Sequence, residues 1–312
     1  MDMGEFKLKR VRNEILGPIP ENRWESGAVF NPGAVRQNEI IHLLYRAVEG
    51  NNVSSIGYAR LTKYGVPIYR YPEPVITRIL DLEKQGCEDP RIVKFGDHFY
   101  IFYTGYDGTK VRIVMAETAD FKSFRKLGQV GPDTNDKDAM IFPEKINGKI
   151  GFLHRIEPNI QLALFDDIDH LLHPGDKYWL SHLENLEKYT VMRREFEWEA
   201  VKIGAGPTPI LTDAGWLLLY HGVANDITYR AGAALLDEKN PYKVIARLPY
   251  PILEPETEYE KVGDVNNVVF PEGAVVFDNE LLVFYGGADK VVGLAKGKMS
   301  ALIDALWKNR VD

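Results

Sequence analysis

The sequence predicts an all-β fold, a five-bladed β-propeller. Three observations lead there: one apolar strand motif recurs five times, turn-forming residues precede it at the same place in each repeat, and helical periodicity is scarce. The motif is a short apolar strand that ends in an aromatic residue or His followed by polar or small residues. It occurs at Ile41–Ala47 (IHLLYRA), Phe99–Gly105 (FYIFYTG), Ile150–Ile156 (IGFLHRI), Trp216–Gly222 (WLLLYHG) and Leu281–Gly287 (LLVFYGG). Aligning Tyr45, Tyr103, His154, Tyr220 and Tyr285 gives spacings of 58, 51, 66 and 65 residues. A unit of that size holds a small antiparallel sheet that cannot bury both its faces alone. Stacking such sheets radially solves the problem, which a single sandwich or a β-helix of much shorter repeat would not.

Within each unit the elements follow in order. An earlier strand comes first, in FNPGAV, EDPRIV, IFPEKI, GPTPIL and FPEGAV, and a turn leads from it into the motif. The turns are Gln37-Asn38, Gly96-Asp97, Asn147-Gly148, Asp213-Ala214-Gly215 and Asp278-Asn279, residue types that close tight hairpins. A third strand follows in SSIGYARL, RIVMAET, NIQLALF, RAGAALL and VVGLAKG, several with a small residue beside an apolar one, which suits close packing on a neighbour. A weaker fourth strand is expected in PIYRYPEPVI, FRKLGQV, EWEAVKI and YKVIARLPYPIL. Helix is expected only in an inserted excursion at Leu180–Trp198 and in a supporting tail at Ser300–Lys308. No low-complexity linker divides the chain, so residues 1–312 read as one domain with a short N-terminal segment.

Composition narrows the function. The 312 residues are 45% hydrophobic, and 38 basic against 45 acidic side chains leave a formal charge of -7. No basic excess is available for a nucleic-acid backbone or an anionic membrane. Cys87 stands alone, which excludes an internal disulfide and multi-cysteine metal sites and fits a reducing compartment. The first twenty residues are charged throughout and no apolar stretch reaches membrane-spanning length, so a soluble, cytoplasmic protein is expected. No phosphate-cradling loop, serine nucleophile elbow or strong metal motif is present.

Polar residues gather at strand tips, which a propeller would turn toward one axial funnel. Asn31, Arg46 and Arg60 come from the first repeat; Glu88, Asp89 and Arg91 open the second; His154 and Arg155 belong to the third. The fourth supplies Lys202, His221, Tyr229 and Arg230, and the fifth Asp289. The expected result is a concave site with excess positive charge, suited to an anionic ligand. In Gly86-Cys87-Glu88-Asp89-Pro90-Arg91, Pro90 biases Asp89 toward extended backbone. The neighbouring Glu88 and apolar surroundings would raise its pKa toward that of a general acid, and a close Arg91 would oppose them.

The ordered set FNPGA, GCEDPR, FLHR, KIGAGPTPI and YHGV on a fivefold repeat resembles the inverting β-mannoside phosphorylases of glycoside hydrolase family 130, from about Trp24 to Gly297. The resemblance implies that Asp89 is the catalytic acid, that Arg155, Lys202, His221 and Tyr229 hold phosphate, and that Asn31, Arg46, Arg60 and Asp289 grip the sugar. It further implies phosphorolysis of β-1,4-linked mannosides to α-mannose 1-phosphate and a released sugar. Inorganic phosphate would be the co-substrate, with no metal or organic cofactor, and the proton would be relayed through the mannose 3-hydroxyl. Phosphate is itself a nucleophile, so one acid and a basic cluster form a sufficient inventory, whereas inverting hydrolysis needs a second carboxylate as base. Two rival readings are a hydrolase of the same fold, with Glu254, Glu258 or Glu272 as that base, and a non-catalytic sugar-binding propeller. The short N-terminal segment leaves assembly into a homo-oligomer open.

Overall fold

The computed structural model describes residues 5–311 apart from residue 12. After a two-residue strand β1 (Lys9–Arg10), the chain forms successive antiparallel meanders. The first is β2 (Ala28–Gln37), β3 (Ile40–Val48), β4 (Ser54–Thr62) and β5 (Pro67–Arg70). The second is β6 (Gly86–Phe95), β7 (His98–Tyr106), β8 (Val111–Thr118) and β9 (Arg125–Val130). The third is β10 (Lys137–Ile141), β11 (Ile150–Arg155), β12 (Ile160–Phe165) and β13 (Thr190–Met192), with helices α1 (Ile168–Leu172) and α2 (Asp176–Glu184) between its last two strands. The fourth is β14 (Lys202–Ala205), β15 (Ile210–Thr212), β16 (Gly215–Val223), β17 (Tyr229–Leu236) and β18 (Val244–Arg247). Helix α3 (Glu258–Lys261) then leads to β19 (Val269–Phe277), β20 (Glu280–Gly287) and β21 (Val291–Lys298), and α4 (Met299–Trp307) follows. A parallel bridge between Ser54 and Gly86 joins the first two meanders into one sheet.

The hairpins form where the turn residues placed them. Asn38, Asn147 and Asp278 take φ of 55°, 50° and 53°, and Gly96 takes 61°, the left-handed conformations that two-residue hairpins require. Several expectations need correction. EWEAVKI is not a strand: Glu197–Glu199 is a single 3-10 turn and Lys202 already opens β14. The fourth strand of the third meander is instead β13, inside the segment read as a helical excursion. The fifth meander takes its fourth strand from the N-terminus, because β1 pairs with β21. IFPEKI also lies one motif late, since β10 ends at Ile141.

Apolar layers lie between successive meanders. Leu44, Ile56, Ile101 and Val114 pack between the first and second, and Phe102, Met115, Phe152 and Leu218 link the second, third and fourth. Leu217, Leu235, Val269 and Val283 join the fourth to the fifth, and Val29, Leu43, Phe284 and Leu294 join the fifth to the first. Each buried Leu, Val or Phe contributes on the order of 1.5–3 kcal/mol.

The recurring tyrosine has a structural cause. In four meanders its hydroxyl donates to a buried glutamate from the turn or helix just before the meander: Tyr45 to Glu25 at 3.1 Å, Tyr103 to Glu83 at 2.6 Å, Tyr220 to Glu199 at 3.0 Å and Tyr285 to Glu260 at 2.7 Å. A cation completes each set: Arg70, Lys126, Arg247 and Arg10 respectively. Gly57, Gly232 and Gly293 stand opposite Tyr45, Tyr220 and Tyr285 in the ladder, and a Cβ there would come within 2.3–2.5 Å of the ring. The third meander substitutes a variant, in which His154 bonds Asp136 at 2.8 Å and His182 at 3.0 Å. Tyr103→Phe is therefore expected to destabilise the protein by about 1–3 kcal/mol, because it strips a partner from a fully buried carboxylate. Chemical denaturation checks it, and a change within error would deny the latch that role.

Candidate active site

Four meanders carry a β-bulge near the same end of the first strand, and the bulged residue is polar. The register slips between Phe30 and Pro32, Glu88 and Arg91, Lys137 and Met140, and Pro271 and Gly273, which frees Asn31, Asp89, Asp138 and Glu272 from the ladder. Asn31, Asp89 and Asp138 adopt φ of 46°, 53° and 55°. The extended backbone that Pro90 was expected to impose on Asp89 is thus overridden, because a bulge re-aims the side chain off the pleat. At the matching place β14 has Gly204, where a Cβ would lie 2.2 Å from Asp138 Oδ2 and 2.4 Å from His221 Cε1. Only glycine leaves room for those two groups.

These residues converge on a cavity of about 200 Å³ lined by Asn31, Arg46, Asp89, Lys137, Asp138, Arg155, Glu157, Lys202, His221, Tyr229 and Asp289, with Val265, Val268 and Phe270 as its apolar wall. All the residues to which the resemblance assigns a catalytic, phosphate or sugar role meet there except Arg60, whereas Glu88, Arg91, His154 and Arg230 stay outside the lining. Arg60 is exposed and stacks on the Tyr69 ring at 4.9 Å. It stands six residues along β4 from Ser54, about 20 Å at the usual strand rise, so it faces away from the cavity end. His154 is buried in its own polar cluster, and Arg230 pairs with Glu254 outside the cavity. Lys137, Asp138 and Glu157 join the lining without being among the residues expected there. Lys137 and Asp138 share Asp89's setting, a charge at the start of an apolar first strand, and that signal could have found them.

Beneath the cavity Arg91 is almost fully buried. Its guanidinium reaches Asp138 at 2.9 Å and Glu272 at 2.6 Å, and donates to the carbonyls of Ala205, Gly206 and Asp89. Burial works against its charge, but Glu272, Asp138 and Asp89 outweigh it and hold the cation. Burial likewise pushes Glu272 well above the usual carboxylate range, with Arg91 pulling back.

On one side of the cavity Asp89 accepts from Asn31 Nδ2 at 2.9 Å and faces Arg46 Nη1 at 3.4 Å, while Arg46 also binds Glu88 at 2.8 Å. Burial raises the Asp89 carboxyl, but Arg46, Lys137, the Asn31 amide and Arg91 together hold it below its ordinary value. The expected upward shift is reversed because burial delivers charge partners along with desolvation. Asp289 moves the other way. Burial and the negative charge of Asp89 push it up to about 6, against the pull of Arg46.

On the other side Arg155 Nε lies 2.9 Å from Asp138 Oδ2, and Arg155 Nη1 and Lys202 Nζ lie 3.3 Å and 2.7 Å from Glu157 Oε1. Burial lowers His221 to about 3, so its ring is neutral at neutral pH. Burial raises Tyr229 too, aided by Asp289. Among the described residues, Arg155 Nε and Nη1 and His221 Nδ1 have no hydrogen-bond partner of proper geometry. The lining carries four basic and four carboxyl side chains. The expected excess of positive charge is therefore absent, since Arg155 and Lys202 face Asp138 and Glu157 while Arg46 faces Asp89.

The Asp289 shift has a consequence for stability. A carboxyl whose pKa is higher in the folded state than in the unfolded one binds more protons when folded, so stability falls as pH rises from about 4 to 6. Relative to wild type, Asp289→Asn should gain roughly 2–3 kcal/mol between pH 4 and pH 7. Denaturation curves of both proteins at the two pH values measure this, and a difference that is constant with pH would refute the shift.

Comparisons with known proteins agree with this geometry. A family model described as beta-1,4-mannooligosaccharide phosphorylase matches residues 6–308. The chain is 41% identical to a 1,2-beta-oligomannan phosphorylase of Thermoanaerobacter sp. (strain X514) over 93% of this chain and 97% of that one. It is 40% identical to a beta-1,2-mannobiose phosphorylase of the same organism, with the same coverage. The solved structure of the Listeria innocua beta-1,2-mannobiose phosphorylase in complex with beta-1,2-mannobiose superposes with a TM-score of 0.82 at 25% identity, covering 97% of this chain and 99% of that chain. The chain belongs to glycoside hydrolase family 130, as a member of its mannoside phosphorylases.

Proposed function

We propose that the protein carries out inverting phosphorolysis of β-mannosides, releasing α-mannose 1-phosphate and the leaving sugar. The observation that carries this reading is the shared cavity, which Asp89 lines together with Arg155, Lys202 and His221. Inorganic phosphate, held by Arg155, Lys202, His221 and Tyr229, attacks the anomeric carbon from the face opposite the glycosidic oxygen. Asp89 supplies the proton that leaves with that oxygen, directly or through a sugar hydroxyl. Asn31, Arg46 and Asp289 grip the mannosyl unit. The neighbours that hold the Asp89 carboxyl low are ones the two substrates would engage. Phosphate adds negative charge nearby, and sugar hydroxyls take over bonds from Asn31 and Arg46, so both changes favour the protonated acid. The hydrolase alternatives gain no support: Glu254 and Glu258 are exposed, Glu272 is locked against Arg91, and none of the three lines the cavity.

The finer points belong to the same reading. We take the five meanders to close as a single five-bladed propeller, supported by apolar layers that run from each meander to the next and from the fifth back to the first. The family description names β-1,4 linkages, whereas the relatives at 41% and 40% identity are named for β-1,2 linkages; we propose β-1,2-linked mannosides as the preferred substrates, in place of the β-1,4 expectation.

Turnover of β-1,2- and β-1,4-mannobiose should require inorganic phosphate and persist with a chelator present. Equal cleavage without phosphate would replace this reading with hydrolysis. Asp89→Asn should nearly abolish turnover while phosphate binding survives, since the amide keeps the shape and cannot donate the proton. Lys202→Ala should raise the phosphate requirement about ten- to a hundredfold and the mannoside requirement far less, because charge-assisted hydrogen bonds are worth about 1.5–3 kcal/mol. Steady-state kinetics in each substrate separates the two effects.

A further inference from the structure

Glu157 occupies the cations that the phosphorylase reading reserves for phosphate. Its Oε1 lies 2.7 Å from Lys202 Nζ and 3.3 Å from Arg155 Nη1, so one carboxylate oxygen bridges both. The other carboxylate of this half-cavity, Asp138, differs in kind. Its side chain is 2% exposed and anchored on Arg91 as well as Arg155, so it belongs to the permanent frame. The Glu157 side chain is 56% exposed and follows the end of β11 on a loop, and its contacts in the cavity are the two ion pairs. Burial raises its carboxyl, but Lys202 and Arg155 prevail and hold it ionised. With Asp138 already facing Arg155, Glu157 brings this half-cavity to near neutrality.

We propose that Glu157 is a built-in surrogate anion: it holds Lys202 and Arg155 while the site is empty and swings to solvent when inorganic phosphate enters. The inference rests on the phosphorylase reading. Its chemical consequence is selectivity by charge. A monovalent anion offers the two cations little that Glu157 does not already supply, whereas divalent phosphate gains from both charges and from several acceptor oxygens. Discrimination thus comes from a competitor the protein carries itself. Because the pair is partly exposed and solvent-screened, the competition is modest, and its removal is expected to change phosphate affinity about two- to fivefold.

The test uses the full chain with inorganic phosphate as the probe. In Glu157→Gln, calorimetric phosphate affinity should rise about two- to fivefold, the KM for phosphate should fall in parallel, and the mannoside KM should stay within about twofold of wild type. Nitrate should become a stronger competitor of phosphate. Glu157→Ala should move phosphate affinity in the same direction, which separates a charge effect from one peculiar to the amide. If Glu157 instead positions Lys202 for phosphate, both variants bind phosphate more weakly, and the proposal is overturned. Unchanged affinity overturns it as well. Should wild type bind and consume phosphate while the variants fail to tighten, only the surrogate role falls; a wild type that neither binds nor consumes phosphate removes the phosphorylase reading along with it.

Discussion

The buried guanidinium of Arg91 is the constraint around which the centre of the molecule is arranged. A charge taken out of water must recover its solvation from the protein, and Arg91 does so with two carboxylates and three carbonyls drawn from β6, β10, β14 with the residue after it, and β19. None of these partners is local in sequence apart from Asp89. They are satisfied together only when four meanders reach their final positions, so the cation ties the floor of the cavity to the completed fold. Asp138 then serves twice, as a counter-ion to Arg91 below and to Arg155 above.

The periphery of each meander is built on a second buried-charge device. A tyrosine, a glutamate and a cation recur in four of the five repeats, and a His-Asp-His set replaces them in the third. The device is the same in kind in those four repeats, while the bulge positions are not: Asn31, Asp89, Asp138, Gly204 and Glu272 occupy comparable places. Repetition of the latch and divergence at the bulges let one scaffold bring Asn31, Asp89 and Asp138 to one cavity.

That cavity is close to neutral, which changes how its chemistry should be understood. Each group of cations already faces carboxylates, Arg155 and Lys202 against Asp138 and Glu157 and Arg46 against Asp89, so no surplus of cations is left over. The opposite shifts of Asp89 and Asp289 follow from the same crowding. Asp89 commands the Asn31 amide and Arg46, and Asp289 is left to bear the repulsion. Two carboxyls in one small volume are thereby held in different protonation tendencies.

Local pattern determined the five repeats, their hairpins and the strand tips at which function collects, because alternation, turn residues and a tyrosine at a fixed place are properties of contiguous sequence. Of the strand-tip residues it singled out, Asn31, Arg46, Asp89, Arg155, Lys202, His221, Tyr229 and Asp289 line one cavity, whereas Glu88, Arg91, His154 and Arg230 do not. Tertiary structure alone decided the rest. Strand polarity, fixed by pairing, sends Arg60 to the far end of β4. Pairing between the chain's two ends makes β1 part of the last meander, and β13 is a strand only because β12 offers it an edge. The direction of the Asp89 shift and the roles of Asp138 and Glu157 depend on charges brought within a few ångströms from other repeats. Coulomb interactions fall with distance through space, and separation along the chain does not report that distance.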